Sequence, residues 1–160
     1  MLADRYLVAD EVLTAAGFGW YEISNWTTGG TRCAHNMLYW TGGDWWGIGP
    51  GAHSHVGGTR WWNVRHPSGY AARIAAGVSP GQAREVLSGD EQQLERVMLL
   101  VRLAEGCPAG ILSPAGRANA ESVVADGLAE PGALADGRIV LTRRGRLLAD
   151  AVTRKLTEPC

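Results

Sequence analysis

Cys33, His35, His53 and His55 are residues whose types can bind metal, and they fall in one stretch, CAHNMLYWTGGDWWGIGPGAHSH. Cys33 stands two positions from His35, and His53 two from His55. On a strand such neighbours share a face, so a thiolate and three imidazoles could meet a borderline metal such as zinc. The dense zinc spacings, C-x2-C with H-x3-H, are absent. The plainer reading is polar loop side chains bonded to backbone, and no metal site is expected. The same stretch holds GIGPGAH, residues 47 to 53. It lacks the G-x-G-x-x-G order of a dinucleotide loop, and Pro50 removes an N–H that a phosphate cradle would use. Glycines here do permit close approach of backbone to another group. Trp40, Trp45 and Trp46 lie within the stretch, and Trp61 and Trp62 soon after it. Aromatic residues in such numbers favour packing over a ligand platform, though flat apolar ligands stack well on such rings.

The elements that must position these residues follow from periodicity. Residues 3–16 read as a helix, with Tyr6, Ala9, Val12, Leu13 and Ala16 at three- and four-residue spacing and Gly17 as the stop. Residues 19–24 read as a strand, and helix plus strand suggests half of an α/β repeat with a parallel sheet. One such repeat cannot make a sheet, so this part reads as the end of something larger. Residues 27–32 read as a loop and 44–48 as a second strand. Residues 57–68 read as irregular, Pro67 opens a helix to about Ala76, and 77–81 read as a linker. From Asp90 a helical stripe runs through Leu94, Val97, Met98, Val101 and Ala104 to Gly106. Residues 114–125 make another helix. Residues 134–141 read as a hairpin turning at Asp136-Gly137, and Thr142 can cap a last helix with Leu147, Leu148, Ala151, Val152 and Leu156 on one face. Helix, helix, hairpin, helix suggests a winged-helix-like module.

The chain has 160 residues, enough for one ordinary domain or two small ones. With 15 basic and 16 acidic residues, its net charge of -1 gives no global push toward nucleic acid or an anionic membrane. Three isolated cysteines, Cys33, Cys107 and Cys160, give no disulfide framework and favour a reducing compartment. The opening MLADRYLVADEVL does not read as a signal peptide, and no apolar run has the length of a membrane span. A cytoplasmic protein without an integral membrane segment is expected.

YEISNW, CAHNMLYW, GGDWWGIGPGAHS and RWWN together resemble the oxygen-independent coproporphyrinogen III oxidase-like family of radical S-adenosylmethionine proteins. Within it, His35-Asn36-Met37-Leu38-Tyr39-Trp40 is similar to the HNxxYW signature of the heme-chaperone branch, which the true oxidases lack. LLVRLAEG and LTRRGRLLADAV resemble the family's C-terminal domain. The resemblance implies an α/β fold: the terminal strands and helices of an open, partial TIM-type barrel in residues 1–66, then a small, mainly helical, winged-helix-like domain in 67–160. It implies heme binding and delivery to respiratory apoproteins, with peripheral contact at the membrane through those clients. His35, Asn36, Tyr39 and Trp40 are then the candidates to lie at heme, His35 as axial ligand and Asn36 as its orienting partner, with Cys33 as a weaker axial candidate. A structural role for His35 stands beside this reading. His53 falls where the related oxidases border the S-adenosylmethionine cavity. The family's [4Fe–4S] cluster needs a C-x3-C-x2-C triplet, which this chain lacks, so the chain alone is expected neither to bind the cluster nor to catalyse. Two other readings stand: part of an oxygen-independent coproporphyrinogen III oxidase, or a winged-helix nucleic-acid module. The second draws on six basic residues against one acidic between Arg138 and Lys155. Because the chain is not basic overall, no nucleic-acid partner is expected.

Overall fold

The computed structural model describes residues 2–158 and has a mixed α/β fold. Its contacts group into two compact units, residues 1–33 with 94–160, and residues 34–93. In the first unit, α1 (Leu2–Ala15) stops at Gly17, whose φ of +82° suits the left-handed turn. The one buried residue of α1 is Asp10, while Val12 of the expected apolar face is exposed. Strand β1 (Gly19–Glu22) turns through Ile23-Ser24 into β2 (Asn25–Thr27), and the two pair antiparallel. The expected strand to Ser24 is therefore a hairpin, not half of a parallel repeat. Glu22 fixes the turn: its carboxylate is fully buried and accepts from the Ser24 amide at 2.9 Å and the Ser24 hydroxyl at 3.0 Å.

The hydrophobic core lies in the C-terminal part of this unit. Helix α4 (Gly89–Leu100) begins with Ser88 and Glu91 bonding reciprocally as a capping box and buries Val97. Strand β6 (Cys107–Pro108) follows, then α5 (Pro114–Ala125), capped by Ser113, whose hydroxyl accepts from the Gly116 amide at 3.0 Å. Helix α6 (Pro131–Ala135) occupies residues expected to start a hairpin, and β7 (Arg138–Ile139) pairs instead with β6. The hairpin reading fails because Pro131 opens a helical turn before Asp136-Gly137. The winged-helix detail is not confirmed. The expected last helix is two: α7 (Arg143–Leu147), capped by Thr142 as the sequence suggests, and α8 (Ala149–Thr157). Ala120 and Val123 of α5 join Val152 and Leu156 of α8 in the core, each almost wholly buried. Each such valine or leucine contributes about 1.5–3 kcal/mol. No helix among the described residues is long and apolar enough to cross a membrane.

The second unit opens with α2 (Ala34–Trp40) and carries a three-stranded antiparallel sheet ordered β3 (His53–Val56), β4 (Thr59–Asn63), β5 (Gly81–Val86), with α3 (Pro67–Ala75) between β4 and β5. Residues 57–68, expected to be irregular, thus hold a strand, and the expected linker leads into another. Gly57 and Gly58 join β3 to β4 with φ of +57° and +76°, the two-residue turn whose twist suits a hairpin. The expected strand at 44–48 reduces to a bridge between Trp45 and His55.

Candidate functional site

The site is built on α2 and the glycine-rich segment after it, both in the second unit. His35 and Tyr39 lie one helical turn apart and therefore on one face. Both are exposed, and the Tyr39 hydroxyl is 3.1 Å from His35 Nε2. Their rings meet edge to face at 5.0 Å between centroids. Tyr39 in turn packs on Trp45 at 4.5 Å, and Trp45 on His55 at 4.9 Å. His55 Nδ1 bonds the Gly43 carbonyl at 3.1 Å, and the Asp44 carboxylate stands 4.0 Å away. Four rings thus run in contact from an exposed imidazole to a half-buried one.

The glycine-rich segment is laced beneath these rings. Backbone bonds join Trp45 and His55 in both directions at 2.8 and 2.9 Å. Two residues further on, Gly47 lies so close to β3 that a Cβ there would sit 1.9 Å from the His53 carbonyl oxygen. The Ser54 hydroxyl accepts from the Gly47 amide at 2.9 Å. The Asn63 side-chain amide donates to the Gly47 and Gly49 carbonyls at 3.2 and 3.0 Å, and the Gly49 amide donates to the Tyr70 hydroxyl at 3.2 Å. Asn63 is 3% exposed and Ser54 1%. These two buried polar residues hold the segment that carries Trp45, and sequence reasoning missed both. The signal present was RWWN itself, because an Asn ending a strand opposite a glycine-rich loop is suited to bond that loop's backbone.

The other expected site residues are dispersed. Trp40, at the end of α2, and Asn36 are half-buried. The Tyr39 hydroxyl stands at His35 Nε2. His53 is exposed on β3 and stacks on Trp62 at 5.7 Å, apart from the His35 ring chain. Cys33 is an exposed free thiol ahead of α2, and Cys160 lies outside the described residues. Among the described residues, no group of three or more His, Cys, Asp or Glu stands together as a metal site requires.

The donor sets decide what each group could find here. Burial pushes the Cys107 thiol up to about 11, against the opposing charges of Arg138 and Arg96, so it stays protonated. A [4Fe–4S] cluster is held by several thiolates, and the two described cysteines, exposed Cys33 and buried Cys107, do not fit one. A heme asks for less: one imidazole nitrogen for iron, a partner to orient the ring from its other nitrogen, and flat apolar surface beside it. In the tautomer that carries its hydrogen on Nε2, the Tyr39 oxygen accepts the Nε2–H hydrogen bond and Nδ1 keeps its lone pair. His35, Tyr39 and Trp45 fit that requirement in kind.

No protein-family model matches the chain. The chain is 52% identical over 156 residues to the heme chaperone HemW of Mycobacterium tuberculosis, a match that covers 98% of this chain and 39% of the relative. It is 31% identical to HemW of Bacillus subtilis, over 94% of this chain and 41% of that protein. The chain therefore spans about two fifths of the length of these relatives. Its fold matches Escherichia coli coproporphyrinogen III oxidase (HemN), a radical S-adenosylmethionine enzyme, with a TM-score of 0.69 at 15% identity, over 94% of this chain and 39% of that one. The ring chain on α2 and the sheet behind it thus sit in a fold shared with a porphyrin enzyme and a sequence shared with heme carriers: the chain belongs to the HemW family of oxygen-independent coproporphyrinogen III oxidase-like radical S-adenosylmethionine proteins.

Proposed function

We propose that the chain is the C-terminal portion of a heme-binding chaperone that delivers heme to apoproteins, and that the exposed face of α2 is its share of the heme site. The observation that carries this reading is the His35–Tyr39 pair, an accessible imidazole with one nitrogen engaged by a hydroxyl and an aromatic surface behind it. His35 is the axial ligand, Tyr39 orients its ring, and Trp40 with Trp45 offers apolar contact to the macrocycle. Cys33 is the second axial candidate, and Asn36 a polar neighbour of the site. His53, flat against Trp62, borders the cavity for S-adenosylmethionine in the whole protein. In this reading residues 1–66 are the end of the barrel and 67–160 the family's C-terminal domain. The cluster and S-adenosylmethionine belong to the whole protein, which works in the cytoplasm and meets respiratory apoproteins at the inner face of the membrane. The oxidase reading has only the shared fold behind it, and the nucleic-acid reading only a run of basic residues.

A heme titration of the full chain, followed by absorbance, tests this reading. A saturable Soret band is expected, lost in His35→Ala and shifted in Tyr39→Phe as the orienting bond goes. A band unchanged by His35→Ala would remove His35 from the site.

A further inference from the structure

We propose that the free edge of β5 takes an extended segment of a partner protein as a further strand of the sheet, with an acidic residue opposite Arg84 and an aromatic one two positions on. The site lies wholly in the second unit and does not rest on the heme reading. Strand β5 ends the order β3-β4-β5, and all its residues after Gly81 are exposed. The two backbone bonds between His55 and Trp45 turn the His55 backbone away from β4. Its partner Arg60 therefore turns its own backbone toward β5, where it faces Glu85. By the same alternation the amides and carbonyls of Gln82, Arg84 and Val86 point outward, to an edge that no described strand pairs. Such an edge is a template for another strand, and no proline within β5 guards it.

The side chains beside that edge fix what the added strand carries. Gln82, Arg84 and Val86 share a sheet face with Trp61, the β4 residue opposite Arg84. On this face a groove of about 450 Å³ is lined by Trp46, Trp61, Ser79, Gly81, Gln82 and Arg84 among others. Trp46 is 70% exposed and meets Trp61 edge to face at 4.8 Å. Gly81 places no side chain in the groove, so an aromatic residue opposite Gln82 can reach the two indoles diagonally across β5. No carboxylate lines the groove. Arg84 forms no ion pair or side-chain hydrogen bond among the described residues, and the adjacent Glu85 points to the other face, where it meets Arg60 at 3.4 Å. The acid that complements Arg84 must therefore come from the added strand, directly opposite it. Read along an antiparallel partner, the motif is an acidic residue, any residue, then an aromatic one. Backbone bonds to β5 supply affinity, and these alternate side chains supply specificity.

Calorimetric titration of the full chain with a synthetic peptide in which Glu and then Phe alternate with Thr tests the proposal, with amide NMR beside it. Binding should be saturable, and the amides of Gln82, Arg84 and Val86 should shift and gain protection from exchange. Arg84 is on the surface, so Arg84→Glu should leave the fold intact and weaken binding about tenfold, the loss of one charge-assisted contact. A peptide with Lys in place of Glu should recover that loss in the variant. Methylating the Glu nitrogen of the peptide removes a bond to β5 and should abolish binding, whereas methylating the next nitrogen, which points away from β5, should not. Trp46→Ala should weaken the peptide with Phe and leave one with Ala in its place unchanged. No saturable binding, equal binding of the two methylated peptides, affinity indifferent to Arg84→Glu, or pairing of β5 with a second copy of the chain in place of the peptide would each overturn the proposal.

Discussion

Gly47 answers, at the scale of one residue, what the glycine-rich stretch is for. A Cβ at this position would overlap the His53 carbonyl oxygen at 1.9 Å, and that oxygen belongs to backbone in a paired strand. Relief requires the segment to lift from β3, which breaks the bonds from Ser54 and Asn63 that hold it. Gly47→Ala should therefore cost about 2 kcal/mol or more. It should also disturb the rings that Trp45 carries. Gly19→Ala is the matched control, since its Cβ would meet nothing within 4 Å and its φ is not in the left-handed region. Denaturant unfolding of the two variants beside the parent should separate them; equal stability would mean that β3 does not confine the segment. Gly47 thus serves packing, and the chemistry proposed for the stretch lies at its start, on α2.

At the scale of elements, what was legible depended on whether the signal was local. The stop at Gly17, the start at Pro114 and the Thr142 cap follow from residues within one turn of their effect, and each forms where the spacing places it. The sheet of the second unit was hidden because β4 pairs with β5 across an intervening helix. Even so, Gly57-Gly58 between alternating residues was a local hairpin signal that passed unread. Helix α2 itself went unread, since the spacing of Cys33 and His35 was taken as that of a strand, so the pairing of His35 with Tyr39 was missed; their continuation to Trp45 and His55 required the Trp45–His55 bridge, which no spacing reveals. Helix α1 misled for another reason: its buried anchor is a charge. Asp10 accepts from Arg146 and from the Trp26 indole at 2.9 Å, and Arg143 adds a second guanidinium at 3.1 Å. Burial alone would raise the Asp10 carboxyl, but the hydrogen bonds from Arg146 and Trp26 and the two guanidinium charges outweigh it and hold the carboxyl below its usual range. A carboxyl lowered in the folded state contributes stability that is present above its unfolded pKa. That stability is lost as pH falls through the folded value. Asp10→Asn should therefore cost about 3 kcal/mol near neutral pH, because Arg146 is left buried without its counter-charge. The gap between the variant and the parent should shrink steadily as pH falls below the ordinary carboxylate range. Denaturant titrations at a series of acidic pH values measure that gap, and a gap independent of pH would deny the ion pair its role in holding α1.

For the whole molecule, the two units differ in what holds them. Every member of the hydrophobic core cluster lies in the first unit, among α4, α5, α8 and the short strands beside them. In the second unit, Ser54 and Asn63 are the buried residues, both polar, and the tryptophans are half-buried or exposed. Its sheet is therefore held by backbone pairing, a few buried hydrogen bonds and ring contacts, with little fully buried apolar surface. Hydrogen bonds contribute only about 0.5–1.5 kcal/mol each in net terms, less than a buried aliphatic side chain gives. Local opening should thus be cheaper in residues 34–93 than in the core of the first unit. In native-state hydrogen exchange, the amides of α5 and α8 should exchange only through global unfolding. Those of β3, β4 and β5 should exchange through a smaller opening with weaker denaturant dependence. A unit with that property can rearrange around a flat ligand laid on α2 while the core of the first unit stays formed. Protection of β3 to β5 should accordingly rise when heme is added, and protection of α5 and α8 should not. Equal protection in both units without heme would mean that the sheet and the core unfold as one body, and that a ligand on α2 must act on the whole fold.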